Sequence, residues 1–191
     1  LTRLLEAHPE LRNENAPPPD PKYKTQKLVS FENAKDRFGV DLSPSRLVLE
    51  HGLAAVLAGR GVLFLDPDTL TPLRFEPVPD KMSVGGAYAV DESGIYTASR
   101  TGILFFPRKG RARVYFPNDN ELSLRINGMD VMKNRVYVLT GGRGRHKGEN
   151  LLEFDLSAGT RSVLVTSKAK VKEQVMAHVS GIYFVMAEAK R

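Results

Sequence analysis

The chain has 191 residues, with 28 Lys plus Arg against 22 Asp plus Glu and a formal net charge of +6, a length that suits one domain with room for an appendage. Its 41% hydrophobic content is enough to bury a core, and no apolar run approaches the ~20 residues that a membrane helix needs. The absence of cysteine excludes disulfides, thiolate nucleophiles and cysteine metal sites, and so modest a positive excess points to anionic partners only where the cations cluster.

Residues 1–44 read as an appendage. The first residue is Leu1, and no charged-then-apolar leader follows it, so the chain is expected to be processed or a piece of something longer. Leu1, Leu4, Leu5 and Leu11 suggest a short helix that ends before Asn13 and Asn15. Ala16-Pro17-Pro18-Pro19-Asp20-Pro21 is a stiff, extended spacer that belongs in neither a helix interior nor a central strand. Lys27 to Phe31 can form one strand, and Ser30 to Phe38 a helical turn or two closed by Gly39.

From about residue 45 the pattern becomes periodic. The pairs Gly52-Leu53, Gly94-Ile95, Arg135-Val136 and Gly181-Ile182 each follow a turn, at intervals of 42, 41 and 46 residues. A strand landmark, Val62 to Leu65, recurs as Ile103 to Phe106 and Leu151 to Phe154, at 41 and 48. A third, Leu73-Arg74-Phe75, recurs as Val114-Tyr115-Phe116 and Val163-Leu164-Val165, at 41 and 49. The longer spacings have one cause, an insertion from Gly141 to Asn150 in the third unit. One further strand precedes each turn, through Val48, Val90, Val131 and Ala177. The apolar runs are four or five residues long, rich in Val, Ile, Phe and Tyr, and closed by Gly or Pro, which disfavours helix.

Four short strands per 41–49 residues make the blade of a β-propeller. The expected fold is therefore all-β: a partial β-propeller of about three and a half four-stranded blades, behind a short helical and extended N-terminal segment. The units run 45–82, 83–123 and 124–170, with a half blade over 174–191. A single β-sandwich, which also spaces strands by 8–12 residues, is the competing architecture. Three and a half blades leave open edges. The N-terminal strand, another copy, or further blades of a larger propeller would complete them, and the last is the expectation.

Two stretches carry a resemblance. Asp91 to Leu104 (DESGIYTASRTGIL) resembles the core of a pyrroloquinoline-quinone-type repeat, with its Val-Tyr strand, Ser-x-x-Gly turn and Leu-Tyr strand. Asn134 to Val138, with Leu151 to Thr160, resembles the same repeat and its Asp-x-x-x-Gly turn. Kelch-like propeller repeats share the pattern. What the resemblance implies is the propeller and not quinone chemistry, and no cofactor is expected. The family's repeats usually end in a Trp that locks blades together, and this chain has no Trp.

In a propeller the loops joining second to third strands share one face with the interblade loops, and ligands bind there. Those loops contain Arg60, Arg100 and Arg143, and the third adds Arg145, His146 and Lys147. The interblade stretch Ser167 to Lys172 is expected on the same face. Arginine beside glycine is also an ordinary solvated turn, and the two short loops fit that description. The long Gly-rich insertion is the better candidate, since such a loop has no packing role. Its arginines offer planar donors to carboxylates and phosphates. The expected partner is an anionic small molecule or an acidic protein surface. Nucleic acid is disfavoured, because one Gly-Arg-Gly-Arg copy lacks interleaved aromatics.

The histidines, His8, His51, His146 and His178, are scattered, so no metal site can be read. Asp91 and Asp130 fall on adjoining inner strands but out of register, and such carboxylates ordinarily serve backbone N–H groups. Asp66-Pro67-Asp68-Thr69 reads as a turn. No nucleophile, base and orienting group come together. The sequence therefore points to a noncatalytic binding or scaffold module, with part of a propeller enzyme acting on acidic carbohydrate as the alternative.

Overall fold

Unbroken apolar runs such as Leu53-Ala54-Ala55-Val56-Leu57-Ala58 suit strands covered on both faces, and those runs form the middle of each sheet. In the computed structural model, which describes residues 38–39, 44–79, 82–99, 102–117, 126–140, 149–166, 170–178 and 181–187, three four-stranded antiparallel meanders follow one another. The first comprises β1 (Pro44–Glu50), β2 (Leu53–Ala58), β3 (Gly61–Leu65) and β4 (Pro72–Pro77), in that spatial order. The second comprises β5 (Tyr88–Val90), β6 (Gly94–Ser99), β7 (Gly102–Pro107) and β8 (Arg113–Tyr115). The third comprises β9 (Ile126–Met132), β10 (Arg135–Thr140), β11 (Glu149–Asp155) and β12 (Thr160–Thr166). A two-stranded sheet follows, β13 (Lys170–His178) and β14 (Gly181–Ala187).

The sheets stack face to face. Val48, Leu53, Ala55, Leu57, Val62 and Phe64 of the first meet Val90, Ile95, Leu104 and Phe106 of the second. The other face of the second sheet, with Ala89, Tyr96, Ala98, Ile103 and Phe105, meets Met129, Val131, Val136, Val138, Leu152 and Phe154 of the third. β5 lies beside β9, and β9 beside β13, so the first strands of successive sheets gather on one side. Each sheet is thus a blade, and the fold is all-β, a partial β-propeller. A fully buried Leu or Phe in these interfaces contributes ~1.5–3 kcal/mol, so the stack is held mainly by apolar contact between sheets.

The true period of the first repeat is 41 throughout, which corrects two landmark pairings, Leu53 with Ile95 and Val48 with Val90. Leu53 faces the second sheet whereas Ile95 faces the first, so the two are not equivalent. The cause lies in the turns. β1 and β2 are joined by His51 and Gly52, both in the left-handed region (φ 51° and 65°), the geometry of a two-residue type I′ hairpin. In the second blade Asp91 bonds through its N–H to the Gly94 carbonyl at 3.1 Å, so the loop residues are Glu92 and Ser93 and Gly94 already belongs to the strand. Gly52 and Gly94 look alike in sequence but differ by one position in the hairpin. Lys133 and Asn134 (φ 49° and 62°) repeat the first geometry in the third blade.

Charged side chains tie the first two blades. Arg74 of β4 donates to the carbonyls of Arg108 and Gly110 at 3.1 Å each, and to that of Pro107. Glu76 on the same strand pairs with Arg74 at 3.1 Å and accepts the Ala112 N–H at 2.7 Å. Arg74 also lies 4.0 Å over the Phe64 ring. Burial lowers the Arg74 pKa and Glu76 opposes the change.

Upstream of β1, Phe38 is helical and Gly39 follows at φ 66°, the expected helix-closing conformation. The helix expected at 1–11, the Pro-rich spacer, the strand at 27–31 and residues 30–37 of the expected helical turn lie outside the described residues.

Candidate ligand-binding face

Strand polarity fixes which links share an end of the array. β2, β6 and β10 run the same way within their meanders, so residues 59–60, 100–101 and 141–148 connect equivalent strand ends. The connections from one sheet to the next leave from that end too. The opposite end carries the turns at 51–52, 66–71, 91–93, 108–112, 133–134 and 156–159.

Of the six cationic residues singled out in sequence, Arg60 is the one described. It is exposed in the β2–β3 turn, and its guanidinium has no partner among the described residues, whereas Arg74, Arg108 and Arg135 are all engaged by protein groups. The turn beneath it is fixed in place. The carbonyl of Arg60 accepts the Val78 N–H at 2.9 Å and that of Gly59 accepts the Val84 N–H at 3.2 Å, which anchors the link to the second sheet. Gly61 follows because there is no room for a side chain: a Cβ there would stand 2.3 Å from the Glu76 carbonyl oxygen. The equivalent Gly102 has as little room, since a Cβ there would stand 2.9 Å from the Tyr115 carbonyl oxygen. Arg100, Arg143, Arg145, His146 and Lys147 lie outside the described residues. The interblade stretch is shorter than the sequence suggests, since β13 begins at Lys170 and takes Lys170 and Lys172 into a strand.

The carboxylates build turns at the other end. Asp91 Oδ1 accepts the N–H groups of Ser93 (2.8 Å) and Gly94 (3.2 Å) and the Ser93 hydroxyl. Asp66 Oδ1 accepts the N–H groups of Asp68 (3.1 Å) and Thr69 (2.8 Å) and the Thr69 hydroxyl (2.9 Å). Asp155 does the same for Ser157 and Ala158. Donation from Thr69 holds the Asp66 carboxyl below its usual pKa, and donation from Ser157 and Ala158 lowers that of Asp155. Asp130 accepts the N–H of Val131 at 2.8 Å. Among the described residues no three His, Asp or Glu side chains gather to hold a metal ion.

Sequence reading missed one polar group on the inner strands. Tyr88 donates to Glu50 Oε1 at 2.9 Å, and the Arg46 guanidinium lies 5.2 Å from the centre of its ring. Burial, then the Glu50 carboxylate, pushes the Tyr88 phenol up. The signal was present in the alternation of β1, where Arg46, Val48 and Glu50 share the face turned to the second sheet.

These features define a propeller-type repeat protein with one basic turn held rigidly at its loop end. No protein-family model matches the chain. No curated protein matches it either. Among solved structures it is similar to BamB from Moraxella catarrhalis, at 14% identity and a TM-score of 0.40, over 73% of this chain and 53% of that one. The chain spans about half the length of that structure.

Proposed function

We propose that the chain is a noncatalytic propeller module that binds an anionic small molecule or an acidic protein surface at the loop end carrying Arg60, Arg100, Arg143, Arg145, His146 and Lys147. The observation that carries this reading is the equivalence of the three links joining second to third strands. Each contains arginine, and the longest contains two with a histidine and a lysine. Arg60 supports it, as a guanidinium without a partner among the described residues, on a turn already immobilised by the neighbouring link. The fixed turn removes backbone freedom beforehand, and the planar guanidinium fork loses less freedom per hydrogen bond than a flexible donor when it pairs with a carboxylate or phosphate. We further read the repeats as quinoprotein-type. The Asp155-to-Gly159 turn supports this, with the Gly159 N–H on the Asp155 carbonyl at 2.9 Å and Gly159 at φ 65°.

The test is calorimetric titration of the protein with inorganic phosphate, citrate and a poly-glutamate peptide. The joint variant Arg143→Ala, Arg145→Ala, Lys147→Ala should weaken the tightest of these by about tenfold or more, and Arg60→Ala by less. Added salt should weaken binding to the parent more steeply than to the variant. Equal affinity for parent and variant would remove this face from consideration.

A further inference from the structure

Blade-facing positions of the first sheet recur 41 residues on in the second, and on the first sheet a full set of them has no sheet against it among the described residues. On its face turned away from the second sheet stand Leu47, Leu49, Ala54, Leu63 and Leu65. Their equivalents on the second sheet are Tyr88, Val90, Ile95, Leu104 and Phe106, which pack on the first. Those on the third are Met129, Val131, Val136, Leu152 and Phe154, which pack on the second. The face therefore repeats, position by position, two interfaces already formed within the chain.

Its cover is incomplete. Phe38, Leu70 and Phe75 pack over Ala54, Leu63 and Leu65 at the centre. The inner flank stays open: Leu49 is 57% exposed where Val90 and Val131 are 6% and 9%, and Leu47 is 51% exposed. Two neighbouring leucines on one strand face are an unusual thing to leave in water, and they mark an interaction surface.

At the far end of the array β14 reads Gly-Ile-Tyr-Phe-Val-Met-Ala. It is apolar at every position after its glycine, as β2 is throughout, and β2 is buried on both faces. β13, its partner in that two-stranded sheet, lies along the third sheet. We infer that a second copy of this chain docks head to tail, its β13–β14 sheet seated against the Leu47–Leu49 flank of the first sheet. The contact joins two different surfaces, so it either closes into a ring or runs on as a filament.

Gel filtration with light scattering on the 191-residue protein, across a wide concentration range, tests this. A mass above that of one chain is expected, either a fixed multiple or one that grows with concentration. Leu49→Glu and Leu47→Glu should each weaken the association by at least about tenfold, with an unchanged circular dichroism spectrum. Leu164→Glu, at an exposed leucine on β12 away from this face, should leave the mass unchanged. A single-chain mass at every concentration would overturn the inference, as would an equal effect of Leu164→Glu.

Discussion

Arg108, in the turn between β7 and β8, donates from its guanidinium to the carbonyl oxygen of Gly52, 3.1 Å away in the turn between β1 and β2. A second donor of the same group reaches the His51 carbonyl. The turn that holds Arg108 is itself gripped from the first blade by Arg74, whose guanidinium bonds to the Arg108 carbonyl. Two arginines, one on each blade, thus help to fix the register of a pair of apolar faces, beside the Tyr88–Glu50 and Ala112–Glu76 hydrogen bonds. Apolar contact is non-directional, and the forked donors supply the register.

The clamp predicts a coupled loss. Arg108→Ala should lower unfolding free energy by about 1–2 kcal/mol, toward the weak end for charged hydrogen bonds because the site is partly exposed. Arg108→Lys should recover less than half, since a single ammonium nitrogen replaces two donor nitrogens held apart in a planar fork. Because Arg74 and Arg108 act through one turn, the double alanine variant should depart from additivity by about 0.5 kcal/mol or more. Urea denaturation of the four proteins measures it, and strict additivity would show that the two act separately.

Glycine at the β2–β3 turn gives a sharper contrast. Gly59→Ala meets no heavy atom within 4 Å and should leave stability unchanged, whereas Gly61→Ala puts a methyl 2.3 Å from the Glu76 oxygen. That crowding should destabilise the fold by about 1–3 kcal/mol. Thermal unfolding of the two variants side by side decides it. On the proposal that Arg60 pairs with anions, the same substitution at Gly61 should weaken that binding by disturbing the backbone under Arg60, and Gly59→Ala should not.

Acid should weaken the fold through the turn aspartates. Asp66 and Asp155 both titrate below the ordinary 3.8 in the folded chain, because N–H and hydroxyl donors favour the ionised form. A depressed folded pKa contributes stability that is present above 3.8 and lost as pH falls through the lower folded values. The urea midpoint should therefore be flat above about pH 5 and fall below about pH 4. The double variant Asp66→Asn, Asp155→Asn should have a shallower acid limb. A midpoint that rises on acidification would contradict the assignment.

The strand runs were legible because burial on both faces leaves a sequence without alternation, as in Val62-Leu63-Phe64-Leu65. Propeller stacking was legible because the runs recur in register. The alignment of the first turn slipped by one because glycine serves two purposes: Gly52 supplies a left-handed turn residue, and Gly94 leaves room where a Cβ would stand 2.2 Å from the Phe106 oxygen. The clamp left no trace in sequence, since Arg74 and Arg108 find backbone carbonyls, which every residue has. Sequence placed Arg60 in a turn, and the structure has it exposed there, but nothing in sequence foretold that its backbone anchors the link to the next blade.

The β1–β2 hairpin offers room for improvement, and the direction is predictable. Both of its loop residues sit at positive φ, which glycine tolerates at Gly52 but a histidine Cβ at His51 opposes. Asn adopts that conformation more readily, and Asn-Gly is the favoured pair for a type I′ turn. His51→Asn should therefore stabilise the fold by about 0.5–1 kcal/mol, read as a higher melting temperature. The Arg108 contact should survive, because it uses the His51 carbonyl rather than the imidazole. Combining His51→Asn with Arg108→Ala separates the two effects: the gain from relieved backbone strain should persist without the clamp. If the gain disappears without Arg108, the asparagine acts through the inter-blade contact, and the strain argument at this turn fails.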